Sequence, residues 1–488
     1  MGIIINQSAK NLVTTYAGFG IGAVNTLFLY TNFLEQEYYG LVSFLLSAAN
    51  LIWPLMAFGV HNTLVKFFSS YSTEDERNKL LTLILILPLG ISMILGAIGY
   101  FSYGFILDYF SNGNELVQPY VWLIFVIAVA TAYFEVFFSW SKVNYQSVFG
   151  NFMKEVFHRL CVSLLLLLVY MDWISIPEFI YSLSGVFIFR ALAMKLYAFS
   201  LYFPKIKFEL PANRSSVIKY SALILIAGSI AMVLLDLDKV MIERFLPIEN
   251  VAIYGIAVYI ASVIAVPSRA MHQITYPMTA TLLNNRDRAG LDELYKKSSI
   301  NLLIVSGFIF LLIVTNVRQL YDLIPDEYQI SFSIVVLISC VKLYDNLMGN
   351  NNAILFNSDY YRLVLAIGVM LAVLAFILNL IFIPEYGIFG AAMATFIAYA
   401  AYNTSKIFIV GRKFKIFPFS MKTIYGLGLV LAFSLGFYFW DFPFHPVVNI
   451  FLKSAIVALL YLPLIFYMQL SQDINIIIER FLKKFFRD

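Results

Sequence analysis

The sequence contains little charge and little cysteine. Only 13% of its 488 residues are Asp, Glu, Lys or Arg, against about 25% in an average soluble domain. So few charges exclude a soluble enzyme and a nucleic-acid-binding protein, and we expect no nucleic acid partner. The two cysteines, Cys161 and Cys340, cannot build a disulfide framework, which excludes a small secreted scaffold. The sequence also lacks a G-x-x-x-x-G-K-[ST] motif, so we do not expect the chain to hydrolyse nucleotides.

Apolar residues are in excess, at 61% of the sequence. They form runs of about 20 residues, the length at which a helix crosses about 30 Å of hydrocarbon. We therefore predict an all-α polytopic membrane protein with about 14 transmembrane helices. The predicted spans are 11–34, 39–60, 80–103, 117–139, 157–174, 177–201, 217–239, 250–271, 298–317, 330–348, 361–383, 387–408, 421–440 and 447–469.

Lysine and arginine are concentrated in alternate loops. Because these residues are held on the cytoplasmic side during insertion, their distribution predicts cytoplasmic N- and C-termini. With this orientation the outer face holds only Lys239, Arg244 and Arg318. The cytoplasmic set includes Lys154 and the basic stretch from Lys406 to Lys422. Four further cations fall inside predicted spans: Arg190, Arg269, Lys342 and Lys453.

Short motifs recur at an offset of about 203 to 215 residues, which indicates an internal repeat. The matched pairs include Tyr39-Gly40 with Tyr254-Gly255, Ile176-Pro177-Glu178 with Ile383-Pro384-Glu385, and Glu135 with Asp345. The pairs link spans 1–6 to spans 7–12 in order, as in a parallel transporter repeat. We predict a six-helix lobe over 1–210, a second six-helix lobe over 211–416, and spans 13 and 14 with a cytoplasmic amphipathic tail over 417–488.

Three segments carry a family resemblance over nearly the whole chain. They are the stretch from Phe33 to Gly59, the stretch from Leu235 to Pro277, and the motif from Ile383 to Thr395, which reads Ile-Pro-Glu-Tyr-Gly-Ile-Phe-Gly-Ala-Ala-Met-Ala-Thr. In these the chain resembles the polysaccharide-type (O-antigen repeat-unit) flippases of the multidrug/oligosaccharidyl-lipid/polysaccharide exporter superfamily. It departs from the sister lipid II flippases, which carry arginines in spans 1 and 2. Span 1 here is uncharged, and span 2 ends at His61.

The resemblance implies a flippase, not an enzyme. It would move an undecaprenyl-diphosphate-linked oligosaccharide, such as an O-antigen or capsule unit, to the outer leaflet of the bacterial cytoplasmic (inner) membrane. An ion gradient would drive alternating access, and the partners would be the lipid bilayer and the polymerase and chain-length proteins of the same pathway. Two alternatives stay open: an exporter of drugs or metabolites from the same superfamily, and a membrane-embedded glycan polymerase.

Cations within the membrane are the first candidates for binding the diphosphate, because a buried anion without a partner is costly. Arg269, just after Pro267, is a candidate diphosphate ligand, or alternatively a residue that extends to the cytoplasmic interface. Arg190 lies deep in span 6 and either lines a polar cavity or pairs with a buried acid. His61 and His272 are further candidates for phosphate binding, with an interfacial role as the alternative.

We interpret Glu135 and Asp345, each of which lies within a predicted span, as the intramembrane acids. Their matched positions suit coupling to H⁺ or Na⁺, since a carboxyl in a low dielectric can exchange a proton. The alternative is a structural ion pair with Arg190 or with Lys342, one turn from Asp345. The sequence predicts no metal site and no cofactor. Asp236 and Asp238 have the spacing of metal ligands but lack further ligands, and we interpret them as structural.

Overall fold

The computed structural model describes residues 2–111, 114–329 and 332–485. Over these ranges the chain is almost entirely helical and contains no β-strand, which confirms the predicted fold class. The helices are α1 (Gly2–Val24), α2 (Tyr30–Phe33), α3 (Gln36–Ala57), α4 (Val60–Phe67), α5 (Glu74–Phe101), α6 (Tyr103–Ser111), α7 (Val121–Val143), α8 (Val148–Phe152), α9 (His158–Tyr170), α10 (Ile176–Leu201), α11 (Arg214–Phe245), α12 (Glu249–Ser262), α13 (Val266–Asn284), α14 (Arg288–Tyr321), α15 (Phe332–Leu347), α16 (Asn351–Phe356), α17 (Tyr361–Phe414), α18 (Met421–Tyr438), α19 (Pro446–Tyr467) and α20 (Gln472–Phe485).

Ten helical stretches of the described chain are long and apolar enough to cross a bilayer, so the chain is a multi-pass membrane protein. One of them, Arg362–Phe414, is 53 residues long and contains the predicted spans 361–383 and 387–408. The predicted spans at 157–174, 217–239 and 330–348 fall on α9, α11 and α15, which are not among the ten. Side chains 226–235 of α11 lie outside the described part. The count of 14 is consistent with these helices and stays a prediction.

The chain divides into two compact units, Met1–Gly255 (unit 1) and Ile256–Asp488 (unit 2). Helix α11 belongs to unit 1 in this division and packs against α3. The lobe boundaries predicted at 210 and 416 describe a sequence repeat, and they stay a prediction.

Unit 1 is built around α7, which packs against α3, α4 and α10. Its core includes Phe134 and Trp140 of α7, Leu80 of α5 and Met194 of α10, all fully buried. Unit 2 is built in the same way around α14, which packs against α15, α18 and α19. There the Tyr461 hydroxyl donates to the backbone carbonyl of Ile304 over 3.2 Å and satisfies a phenol that is fully buried.

The two Ile-Pro-Glu motifs of the repeat have different local structures. The first begins helix α10 at Ile176. There Ser175 caps the helix, and its backbone N–H donates to the Glu178 carboxylate over 2.7 Å. The second motif lies inside α17, just before Gly387, whose φ of 60° and ψ of −143° interrupt the helix. Only glycine adopts this backbone conformation readily, so Gly387 sets the break between the two halves of α17.

The helix α20 carries the predicted amphipathic tail, whose residues 486–488 lie outside the described chain. Its start is held against α14, because the Asn301 amide donates to the Asp473 carboxylate over 2.8 Å and Ser471 donates to the Asn301 side chain. The tail is thus anchored at its N-terminal end by polar contacts within unit 2.

Candidate functional site

Unit 1 contains an ion pair between the buried Glu135 of α7 and Lys154. The Glu135 carboxylate lies 2.6 Å from the Lys154 ammonium, and the two side chains are 10% and 36% exposed. Lys154 lies in a π-helical turn, Met153–Phe157, between α8 and α9. Such turns change the direction of side chains within a helix and are frequent at functional sites. The sequence suggested Arg190 as the ion-pair partner of Glu135, whereas the structure shows Lys154, which the sequence assigned to the cytoplasmic set. A role of Glu135 in ion coupling stays a prediction.

Two further titratable side chains interact electrostatically with Glu135. One is Lys142, whose ammonium lies 3.8 Å from the centre of the Phe138 ring. The other is His61, whose ring packs 5.6 Å from that of Trp53 and whose buried Nδ1 has no hydrogen-bond partner among the described residues. His61 and Glu135 are candidates from distant parts of the sequence, and the fold of unit 1 brings them into one cluster.

Arg190 is buried, with 5% of its surface exposed. Its guanidinium lies between two aromatic rings, 4.3 Å from the centre of Phe134 and 4.7 Å from that of Phe187. Its Nε is buried and has no hydrogen-bond partner in the part of the chain that the structure describes. Glu135 and Glu155 interact with it electrostatically, but their ion pairs are with Lys154 and Arg159. A buried guanidinium held by rings keeps its capacity to donate to an acceptor from outside the chain.

Two neighbouring residues on α9 were missed by sequence reasoning. Arg159 contacts Glu155 at 3.7 Å and lies 5.5 Å from the Phe19 ring, but its buried Nη1 finds no acceptor within residues 2–111, 114–329 and 332–485. His158 interacts electrostatically with Arg159 and Arg190, and over the same ranges its Nδ1 also lacks a partner. A signal was available: His-Arg stands at the start of an apolar run, as Arg362 does in the second half.

We call His61, Glu135, Lys142, Lys154, His158, Arg159 and Arg190 the unit 1 cluster. Together with Glu155 it contains four lysines and arginines, two carboxylates and two histidines. The balance is therefore positive. Buried donors with excess positive charge make an environment that favours an anion.

Unit 2 holds the matched acid in a different setting. Lys406 of α17 has a side chain with no exposed surface, and its ammonium lies 4.0 Å from the Asp345 carboxylate, which is 40% exposed. The same ammonium donates to the Asn352 side-chain oxygen over 3.1 Å and lies 4.1 Å from the Tyr402 ring centre. Lys342, the partner suggested by the sequence, has its ammonium 5.4 Å from the Tyr399 ring. Asp345 thus pairs with Lys406, which the sequence placed in the cytoplasmic set.

The remaining two candidates lie on α13. Arg269 is exposed on this helix. His272 is partly buried and its Nε2 lies 3.2 Å from the backbone carbonyl of Gly349, to which it can donate. Gly349 has a φ of 55°, and an added Cβ would lie 2.6 Å from the Ser298 hydroxyl. His272 therefore braces a tight turn between α15 and α16, and the binding roles suggested for it and for Arg269 stay predictions.

The comparison with known families decides the broad class. A model of the polysaccharide biosynthesis protein family matches residues 7–283, more than half of the chain. The chain belongs to the polysaccharide biosynthesis protein family. Comparison with curated protein sequences finds no significant match.

Solved structures show which fold this member of the polysaccharide biosynthesis protein family adopts. The lipid II flippase MurJ in an inward closed conformation matches with a TM-score of 0.71 at 15% identity, over 96% of this chain and 99% of that chain. The MATE multidrug transporter DinF-BH matches with a TM-score of 0.61 at 13% identity, over 86% and 97%. An inward-facing MATE family transporter of the MOP superfamily matches with a TM-score of 0.54 at 13% identity, over 88% and 94%. The superfamily resemblance inferred from the sequence is thereby confirmed.

Proposed function

We propose that this protein is a flippase for undecaprenyl-diphosphate-linked oligosaccharides, moving repeat units of a bacterial surface glycan from the inner to the outer leaflet of the cytoplasmic membrane. Its family supports a role in polysaccharide biosynthesis, and its fold is shared with a lipid II flippase. The fold is shared with transporters, which supports a function in transport. An ion gradient drives the cycle, and both termini lie in the cytoplasm.

The observation that carries the substrate class is the unit 1 cluster. Arg190 is buried and Arg159 is partly buried in unit 1, and each has a buried donor nitrogen without an acceptor in the described chain. A diphosphate supplies several charged oxygen acceptors, and a guanidinium binds such oxygens in a bidentate manner. These contacts replace the hydration that the diphosphate loses in the membrane. Arg269, which is exposed on α13, stays a proposed diphosphate ligand on the basis of the sequence.

The experiment is a flipping assay with purified protein in liposomes that contain a diphosphate-linked oligosaccharide lipid. Glycan that reaches the outer leaflet is counted by lectin binding. We expect Arg190→Met and Arg269→Ala each to lower the initial rate by about tenfold or more, since each removes charged hydrogen bonds worth at least about 1.4 kcal/mol.

The matched control is Lys195→Met, because Lys195 lies on the same helix as Arg190 but is exposed. It should flip the lipid at the wild-type rate. Equal rates in all four proteins would contradict a role for either arginine. Growth of the glycan chain would identify a polymerase instead.

The second candidate is a MATE-like exporter of drugs or metabolites, and the fold match to MATE transporters favours it. The two functions differ in the charge of the cargo. An organic cation would be repelled by the positive balance of the unit 1 cluster. Uptake of a fluorescent cationic dye into the same liposomes, without any lipid flipping, would support the exporter and reject the flippase.

A further inference from the structure

Lys406 occupies an unusual position in unit 2. Its side chain has no exposed surface, although lysine is among the residues that are rarely buried in full. The ammonium is surrounded by the Asn352 side-chain oxygen at 3.1 Å, the Asp345 carboxylate at 4.0 Å and the Tyr402 ring at 4.1 Å. An amide oxygen, a carboxylate and an aromatic face are the groups that bind a free monovalent cation. The lysine therefore fills a cation site from within the chain.

Asp345, in contrast to Lys406, is partly exposed. Its side chain is 40% exposed, and at 4.0 Å its carboxylate is beyond hydrogen-bond distance of the ammonium. Its exposed oxygen surface is open to an ion from outside. However, an added Na⁺ would also be repelled by the nearby Lys406 ammonium. Lys406 and Asp345 together already have no net charge. The attraction that Asp345 alone would exert on Na⁺ is cancelled by Lys406.

We infer that Lys406 is the resident cation of unit 2, and that it masks a latent Na⁺ site formed by Asp345 and Asn352. Unit 2 consequently binds no Na⁺ at Asp345 as long as Lys406 is present. Of the two coupling ions that the sequence left open, this excludes Na⁺ at that carboxylate. The link to transport rests on the proposed flippase function, but the binding statement does not, because it concerns the purified protein without substrate.

Other titratable groups surround the pair. Tyr402 on α17 and Tyr276 on α13 interact electrostatically with Asp345, and Lys342 lies one turn away on α15. The two tyrosines are neutral at physiological pH. Lys342 is a second ammonium of the same unit, and it lies against the Tyr399 ring. It therefore offers a matched control for the loss of one positive charge.

The test measures thermal unfolding of the purified protein in detergent, in NaCl and in KCl at equal ionic strength. We expect the midpoint of the wild-type protein to be the same in both salts. Lys406→Gln removes the charge but keeps a polar group beside Asn352, and we expect it to unfold at least about 3 °C higher in NaCl, because a ligand that binds only the folded state stabilises it. The double variant Lys406→Gln/Asp345→Asn should lose this difference.

Several outcomes would overturn the inference. The first is that Na⁺ stabilises the wild-type protein but does not stabilise the Asp345→Asn variant. The second is that Lys406→Gln unfolds at the same temperature in NaCl and in KCl. The third is that Lys342→Gln is stabilised by NaCl over KCl as much as Lys406→Gln is. If Lys406→Gln does not fold, Lys406→Met replaces it in the same experiment. If neither variant folds, the test is whether Na⁺ stabilises the wild-type protein and no longer stabilises Asp345→Asn. If the protein does not flip lipid but the unfolding temperatures in NaCl and KCl differ as expected, the proposed function is rejected and this inference stands.

Discussion

Glu135 and Asp345 occupy matched positions in the two halves of the sequence, but their surroundings are opposite. In unit 1 the acid is buried and its lysine partner is 36% exposed, with 2.6 Å between the charged atoms. In unit 2 the lysine is fully buried and the acid is 40% exposed, with 4.0 Å between them. The first pair is a closed ion pair within a positive cluster, and the second presents a carboxylate to its surroundings. The two halves of the sequence therefore carry an acid at matched positions but do not form equivalent sites around it.

The largest expected loss of stability comes from removing Lys154, the ion-pair partner of Glu135. Lys154→Met leaves the Glu135 carboxylate buried with Lys142 and Arg190 as its remaining positive neighbours. Loss of one partner of a buried pair costs about 3 to 5 kcal/mol, and these neighbours should reduce the loss in unfolding free energy to about 2 to 3 kcal/mol. Denaturant unfolding in detergent measures it. Lys195→Met is the control, and a loss no greater than that of the control would show that Lys154 does not stabilise the buried acid.

The second effect concerns the matched Tyr-Gly motifs. A Cβ on Gly40 would lie 2.1 Å from the Ile248 carbonyl oxygen, whereas on Gly255 the nearest atom would be the Ser43 hydroxyl at 3.8 Å. Gly40→Ala should therefore destabilise the protein by about 2 kcal/mol through overpacking. Gly255→Ala should leave stability unchanged or raise it by up to about 1 kcal/mol through helix propensity. Equal effects in the same unfolding experiment would contradict the difference in packing.

The smallest effect is expected in the open pair. Asp345→Asn leaves Lys406 with the Asn352 oxygen and the Tyr402 ring. Because the acid is 40% exposed and does not hydrogen-bond to the ammonium, we expect a loss of about 1 kcal/mol or less in unfolding free energy. A loss as large as that of Lys154→Met would mean that the two pairs are energetically alike, contrary to their geometry.

Local patterns predicted the helices well. The apolar runs located the long helices, and the Ile-Pro-Glu motif located the start of α10 at Ile176. These features depend on residues a few positions apart, so they can be read from the chain. The second Ile-Pro-Glu motif precedes the break at Gly387, which is where the sequence predicted the span 387–408 to begin.

The sequence by itself determined that the chain is an all-helical membrane protein, that short motifs recur along it, and that a few charges lie within the hydrophobic spans. Hydrophobicity and the positive-inside bias act on each segment separately, so they require no knowledge of the fold. Only the tertiary structure decided which charges meet. The sequence assigned Lys154 and Lys406 to the cytoplasmic set, yet they are the partners of Glu135 and Asp345. Lys406 and Asp345 lie on α17 and α15, and their contact depends on how helices that are distant along the chain pack against each other.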